Sequence, residues 1–152
     1  MKRWLPIFAI LWGGQLFAQN IDLYLTLLEK GRMDEVKENL SELLSRYPDE
    51  AGIFFLEAMV TENGDSSLAQ FQSIVKKFPE SEFAAKSEMK IGEYLFSRGL
   101  YSQAGVQFKT VLYKYPQGDH RQRAMDLMVN SYFATGQEDS AKASLRIIKQ
   151  LY

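Results

Sequence analysis

His120 is the only histidine in the chain, and it stands beside Asp119, Arg121 and Arg123. An imidazole in that setting has two chemical uses, as a general base or as a metal ligand. A metal would need further ligands, and with no second histidine and no cysteine only an unusual carboxylate set remains. His120 therefore reads as a solvated residue at a helix start, and neither a metal nor a cofactor is expected. Carboxylates are numerous, but they scatter over helix faces that read as exposed, with no pocket to tune a pair for acid–base work. The chain has no glycine-rich phosphate loop, no Gly-x-Ser-x-Gly elbow and no dinucleotide fingerprint. Asn39-Leu40-Ser41 matches a glycosylation triplet, yet Leu40 falls on the inward face of a helix, so the match reads as chance. The basic concentrations are Lys76-Lys77 and Arg121 with Arg123, which suit ordinary charge at helix ends or a docking patch for an acidic partner. The residues thus point away from an enzyme.

The 152 residues suffice for one domain with its own core. The first twenty differ in kind from the rest. Lys2 and Arg3 precede an apolar run from Trp4 to Trp12, followed by Gly13-Gly14 and then Leu16-Phe17-Ala18. That layout predicts a secretory signal peptide over 1–18, cut after Ala18. The alternative, a retained anchor, needs about 20 apolar residues to span a bilayer, and this run is shorter and broken by glycines. Cleavage removes Lys2 and Arg3 and leaves a chain two charges more acidic than its formal −1, with no pull toward nucleic acid. Without cysteine there are no disulfides, and Gln19 rather than Cys follows the cut, so a lipid anchor there is not expected. The expectation is an exported protein of the periplasm or cell envelope, with no membrane span after cleavage.

A spaced signature recurs four times. It consists of a small residue, apolar residues four and seven positions later, and an aromatic residue eleven later, usually followed by proline. The copies are Val36, Leu40, Leu43, Tyr47-Pro48; Ser67, Phe71, Ile74, Phe78-Pro79; Ala104, Phe108, Val111, Tyr115-Pro116; and Ala141, Leu145, Ile148, Tyr152. Their starts lie 31, 37 and 37 residues apart, around the 34-residue period of tetratricopeptide arrays. The spacing predicts an all-α fold, a right-handed α-solenoid of about four hairpins, with repeats near 19–48, 49–79, 80–116 and 117–152. Helices are expected at 21–30 with 33–46, 51–62 with 65–77, 81–98 with 101–114, and 119–135 with 138–151. Gly31, Gly99 and Gly136 share one offset, where glycine closes the first helix of a pair. Asp34, Asp65, Ser102 and Asp139 share another, suited to capping the second helix or complementing its positive end.

The stretch Pro79, Ser81, Ala84, Ile91-Gly92, Gly99, Tyr101, Ala104, Phe108, Val111, Tyr115-Pro116 resembles the tetratricopeptide repeats of exported bacterial envelope proteins. Examples are the periplasmic coordinator of the Tol-Pal system and the lipoprotein subunit of the outer-membrane β-barrel assembly machine. The resemblance covers 79–152 and extends more loosely over 21–78. It implies a non-enzymatic adaptor that holds a protein or peptide partner in the envelope. The chain departs from these relatives in lacking the lipoprotein cysteine and any coiled coil ahead of the repeats.

In this architecture the first helices of successive repeats line the concave side. One row there carries Leu28, Met59, Phe96 and Phe133, apolar throughout; another carries Leu25, Leu56, Glu93 and Asn130, turning polar along the array. The plain reading of the first row is packing within and between hairpins. The functional reading is a trough for an extended or helical peptide, with Glu93 and Asn130 orienting its backbone and Met89, Arg123 and Asp126 nearby. At the end of the chain Leu145, Ile148 and Leu151 fall at helical spacing while Ile147 points elsewhere, so an uncovered apolar edge would suit a homodimer. A structural oligomerisation module built on that edge is the alternative to an adaptor.

Overall fold

The computed structural model describes residues 21–150, which are helical throughout apart from short connections. Residues 21–29 form α1. It is followed by α2 (Met33–Arg46), α3 (Ala51–Val60), α4 (Gly64–Lys77), α5 (Glu82–Ser97), α6 (Tyr101–Lys114), α7 (Arg121–Ala134) and α8 (Glu138–Gln150). The fold is an all-α array of helical hairpins, and each helix end lies within two residues of its place in the sequence reading. The predicted leader at 1–18 lies outside the described residues, as do Leu151 and Tyr152. Among the described residues no helix is long and apolar enough to cross a membrane.

The chain forms two compact units, one ending at Val60 and one beginning at Thr61. In the first, α2 packs against α3, with Val36, Leu43, Ile53, Phe55 and Leu56 buried. In the second, α4 through α8 pack in sequential order, and α6 also touches α8. Its core gathers Met89, Ala104, Phe108, Val111, Leu112, Ala124, Met128, Tyr132, Ala141 and Ile148. Ala104 and Ala141, the small positions of the repeat, are buried, and Phe108 is wholly enclosed.

Two kinds of joint recur, and the repeat signature specifies both. The first closes α1, α5 and α7 with a glycine in the left-handed region: Gly31, Gly99 and Gly136 have φ of 74°, 75° and 69°. In each the glycine N–H donates three residues back (to Leu28, Phe96 and Phe133, all 3.0 Å). The next residue's N–H donates five back (Arg32 to Leu27, Leu100 to Leu95, Gln137 to Tyr132, 2.8–2.9 Å). This double closure is the Schellman motif, and it satisfies carbonyls that a helix end otherwise leaves bare. The second joint ends α2, α4 and α6 on the aromatic residue. Tyr47, Phe78 and Tyr115 donate to Leu43, Ile74 and Val111 at 2.8–2.9 Å, with φ between −126° and −134°. The proline that follows bars the helical region at that residue, so the chain must turn.

The offset shared by Asp34, Asp65, Ser102 and Asp139 proves to be the second residue of each helix, inside the first turn. Capping falls to other residues or to none. Asn63 caps α4, accepting from the Ser66 N–H at 2.9 Å, while α2 and α6 have no side-chain cap. The three aspartates stand where a negative charge complements the helix dipole. Asp65 also accepts a hydrogen bond from the Tyr94 hydroxyl, which ties α4 to α5.

Candidate functional site

Arg123, Asp126, Asn130 and Phe133 recur at helical spacing along α7, and all four are exposed, so they form one continuous outward face. Glu93 on α5 reaches this face. Its carboxylate accepts from Arg123 Nε at 2.7 Å and from Lys90 Nζ at 3.0 Å, which joins the first helices of two successive hairpins. Burial pushes the Glu93 carboxyl up more than any other single influence. Lys90 and Arg123 together outweigh it, and the group titrates below its ordinary value of 4.5. Asp126 accepts from the Gln122 amide at 2.9 Å.

The depressed Glu93 pKa has a definite sign in stability. A carboxylate favoured by folding stabilises above its unfolded pKa, and that contribution disappears as pH falls through the lower folded value. Replacing Glu93 by glutamine is therefore expected to lower the urea midpoint near neutral pH. The two proteins should converge as pH falls below the ordinary glutamate value of 4.5 and on through the lower folded value. Urea titrations of both proteins across that range check this. With Arg123 largely exposed, the coupling in a Glu93/Arg123 double-mutant cycle should be about 0.2–1 kcal/mol.

The remaining residues of the predicted trough take different places. Met89 is buried in the core of the second unit. Phe96 is half-buried, packs on that core, and meets Tyr101 edge-on with ring centroids 5.0 Å apart. Phe133, its counterpart one repeat later, is 52% exposed. The difference follows from the residue five positions on, Tyr101 after Phe96 but Glu138 after Phe133, so the second phenylalanine lacks the aromatic cover of the first. In the first unit Leu56 is fully buried, while Leu25, Leu28 and Met59 are partly covered. At the other end, Ile148 belongs to the core and Leu145 packs against it, whereas Ile147 is exposed on α8.

A second polar cluster went unforeseen. Glu88 on α5 is buried, and its carboxylate accepts from the Gln107 amide and, at 3.3 Å, from Lys114 Nζ, both on α6. Gln107 also donates to the Glu88 carbonyl at 3.2 Å, so the cluster acts as a pin within the α5–α6 hairpin. The Tyr115 side chain, and after it Glu88, hold the Lys114 ammonium above the ordinary lysine value against an opposing effect of burial. On the neighbouring helix pair, the hydrogen bond to Asp65 raises the Tyr94 phenol. His120 sits at the start of α7 with Nε2 3.2 Å from the Tyr115 carbonyl oxygen, within reach for a ring N–H to donate. Among the described residues no three histidine, aspartate or glutamate side chains converge as a metal site.

Residues 57–147, well over half of the chain, match the family model for YfiO, outer membrane lipoprotein. No curated protein matches the chain.

Proposed function

Since the chain belongs to the YfiO family of outer membrane lipoproteins, we propose that it is a non-catalytic adaptor of the bacterial envelope that holds a peptide segment or partner helix against the α5–α7 face. The observation that carries this reading is Phe133. A phenylalanine left half open to water, in line with Asn130, Asp126 and Arg123, is an apolar anchor set among hydrogen-bonding groups. The Glu93–Arg123 pair fixes the guanidinium through its Nε and leaves the outer N–H groups for a ligand carbonyl or carboxylate.

The test is a photoreactive residue at position 133 in the full chain, expressed in its native envelope. The expected product is an adduct with one distinct envelope protein that disappears when Arg123 is replaced by glutamate. Phe133→Ala should cut co-purification of that protein while leaving stability within about 0.5 kcal/mol, as befits an exposed site. An absence of adduct, or an adduct indifferent to Arg123, would defeat the proposal. Phe96 is a poorer probe, because its packing on the core mixes binding with stability.

A further inference from the structure

Several large apolar side chains are exposed among the described residues, and three of them line a single groove on the side of the second unit formed by α6 and α8. They are Val106 (58% exposed), Tyr113 (39%) and Ile147 (44%). The groove consists of two hollows of about 450 and 330 Å³ that share Val106, Lys109 and Tyr132. Along α6 its wall is Val106, Lys109, Thr110 and Tyr113; along α8 it is Ser140, Ala143, Ser144 and Ile147. Both sets follow the spacing i, i+3, i+4, i+7, which marks one face of a helix. Tyr132 from α7 forms the floor.

Three features define what fits. Both walls are helices whose backbone groups are already paired, so an added β-strand finds no edge, whereas a helix needs only side-chain contacts. The α8 wall is built of serine and alanine up to Ile147, which lets another helix axis approach closely. No carboxylate lines either hollow, while Lys109 and Lys114 do. Lys114 is shared with Glu88, but Lys109 lies over the Tyr113 ring at 5.8 Å, on the groove itself.

From this geometry we infer a second docking surface, the α6–α8 groove, which receives an acidic amphipathic helix of a partner protein. The helix lays an apolar stripe on Val106, Tyr113, Tyr132 and Ile147 and turns carboxylates toward Lys109 and Lys114. It uses none of the α5–α7 face residues, so the two surfaces can be occupied at once and tested apart.

The experiment uses the full chain and two labelled synthetic helices about four turns long. Both carry leucine at every third or fourth position, flanked in one by glutamate and in the other by lysine. In fluorescence anisotropy the glutamate helix is expected to bind at least about tenfold more tightly than the lysine helix. Val106→Asp should abolish binding, Lys109→Glu should reverse the preference, and Phe133→Ala should change nothing. All three positions lie on the surface, and circular dichroism verifies that the variants fold. Equal affinity for the two helices, or binding lost with Phe133→Ala and kept with Val106→Asp, overturns the inference. So does a chain that sediments as a dimer and becomes monomeric with Val106→Asp, since the groove would then belong to a second copy.

Discussion

Phe108→Ala is expected to remove about 3–5 kcal/mol of stability from the second unit. The ring is fully buried, in a core to which α5, α6, α7 and α8 all contribute. Truncation forfeits the transfer energy of the ring and leaves a void that four helices would have to move to fill. Packing in an array is local, so the damage should fall on the hairpins that share the void and leave more distant helices folded. Urea unfolding read by circular dichroism measures the loss. Hydrogen exchange adds its location, with amides of α5–α8 losing protection and those of α2 and α3 keeping theirs. A loss below about 1 kcal/mol would mean that the core collapses easily around the missing ring.

The second large effect comes from adding a single methyl group. Gly92, within α5, lies under the Phe108 ring, and a Cβ built there would meet Cε1 at 2.5 Å and Cδ1 and Cζ at 2.9 Å. Helix propensity favours alanine over glycine by about 0.8–1.0 kcal/mol, so on an open helix face the substitution would stabilise. Here the steric term wins, because the ring is enclosed on every side and cannot swing away. Gly92→Ala is expected to destabilise by about 1–3 kcal/mol net. Combining it with Phe108→Leu should recover part of the loss, since the smaller side chain vacates the space the methyl needs. Additive losses in the double variant would show that the clash is relieved elsewhere.

Much of this architecture was legible from residue types. The aromatic–proline pairs and the glycines at a fixed offset name the two joints directly, because each joint depends on a backbone property that only those residues supply. Gly92 and Phe108 were likewise visible as members of the repeat. Periodicity also gave the faces of α6 and α8 that turn inward. What it could not give was the company each side chain keeps across helices. Glu88 finds its partners 19 and 26 residues away, at separations that no helical period predicts. The unequal exposure of Phe96 and Phe133 was readable in principle, from Tyr101 and Glu138 five residues on, but only after recognising that this position covers the ring. The shared aspartate offset misled in part, since a residue one turn position inside the helix has the same spacing in sequence as a cap.

The hairpins α5–α6 and α7–α8 are closed internally by the same pair of hydrogen bonds, and α4 and α6 stop on the same aromatic–proline step. From Pro79 to Pro116 the chain therefore forms a 37-residue cassette that begins and ends on the same aromatic–proline step. In-frame recombination between those prolines would delete or duplicate one hairpin and keep an aromatic–proline step at the new junction. The number of hairpins can thus change by one cassette while the form of the joints is kept.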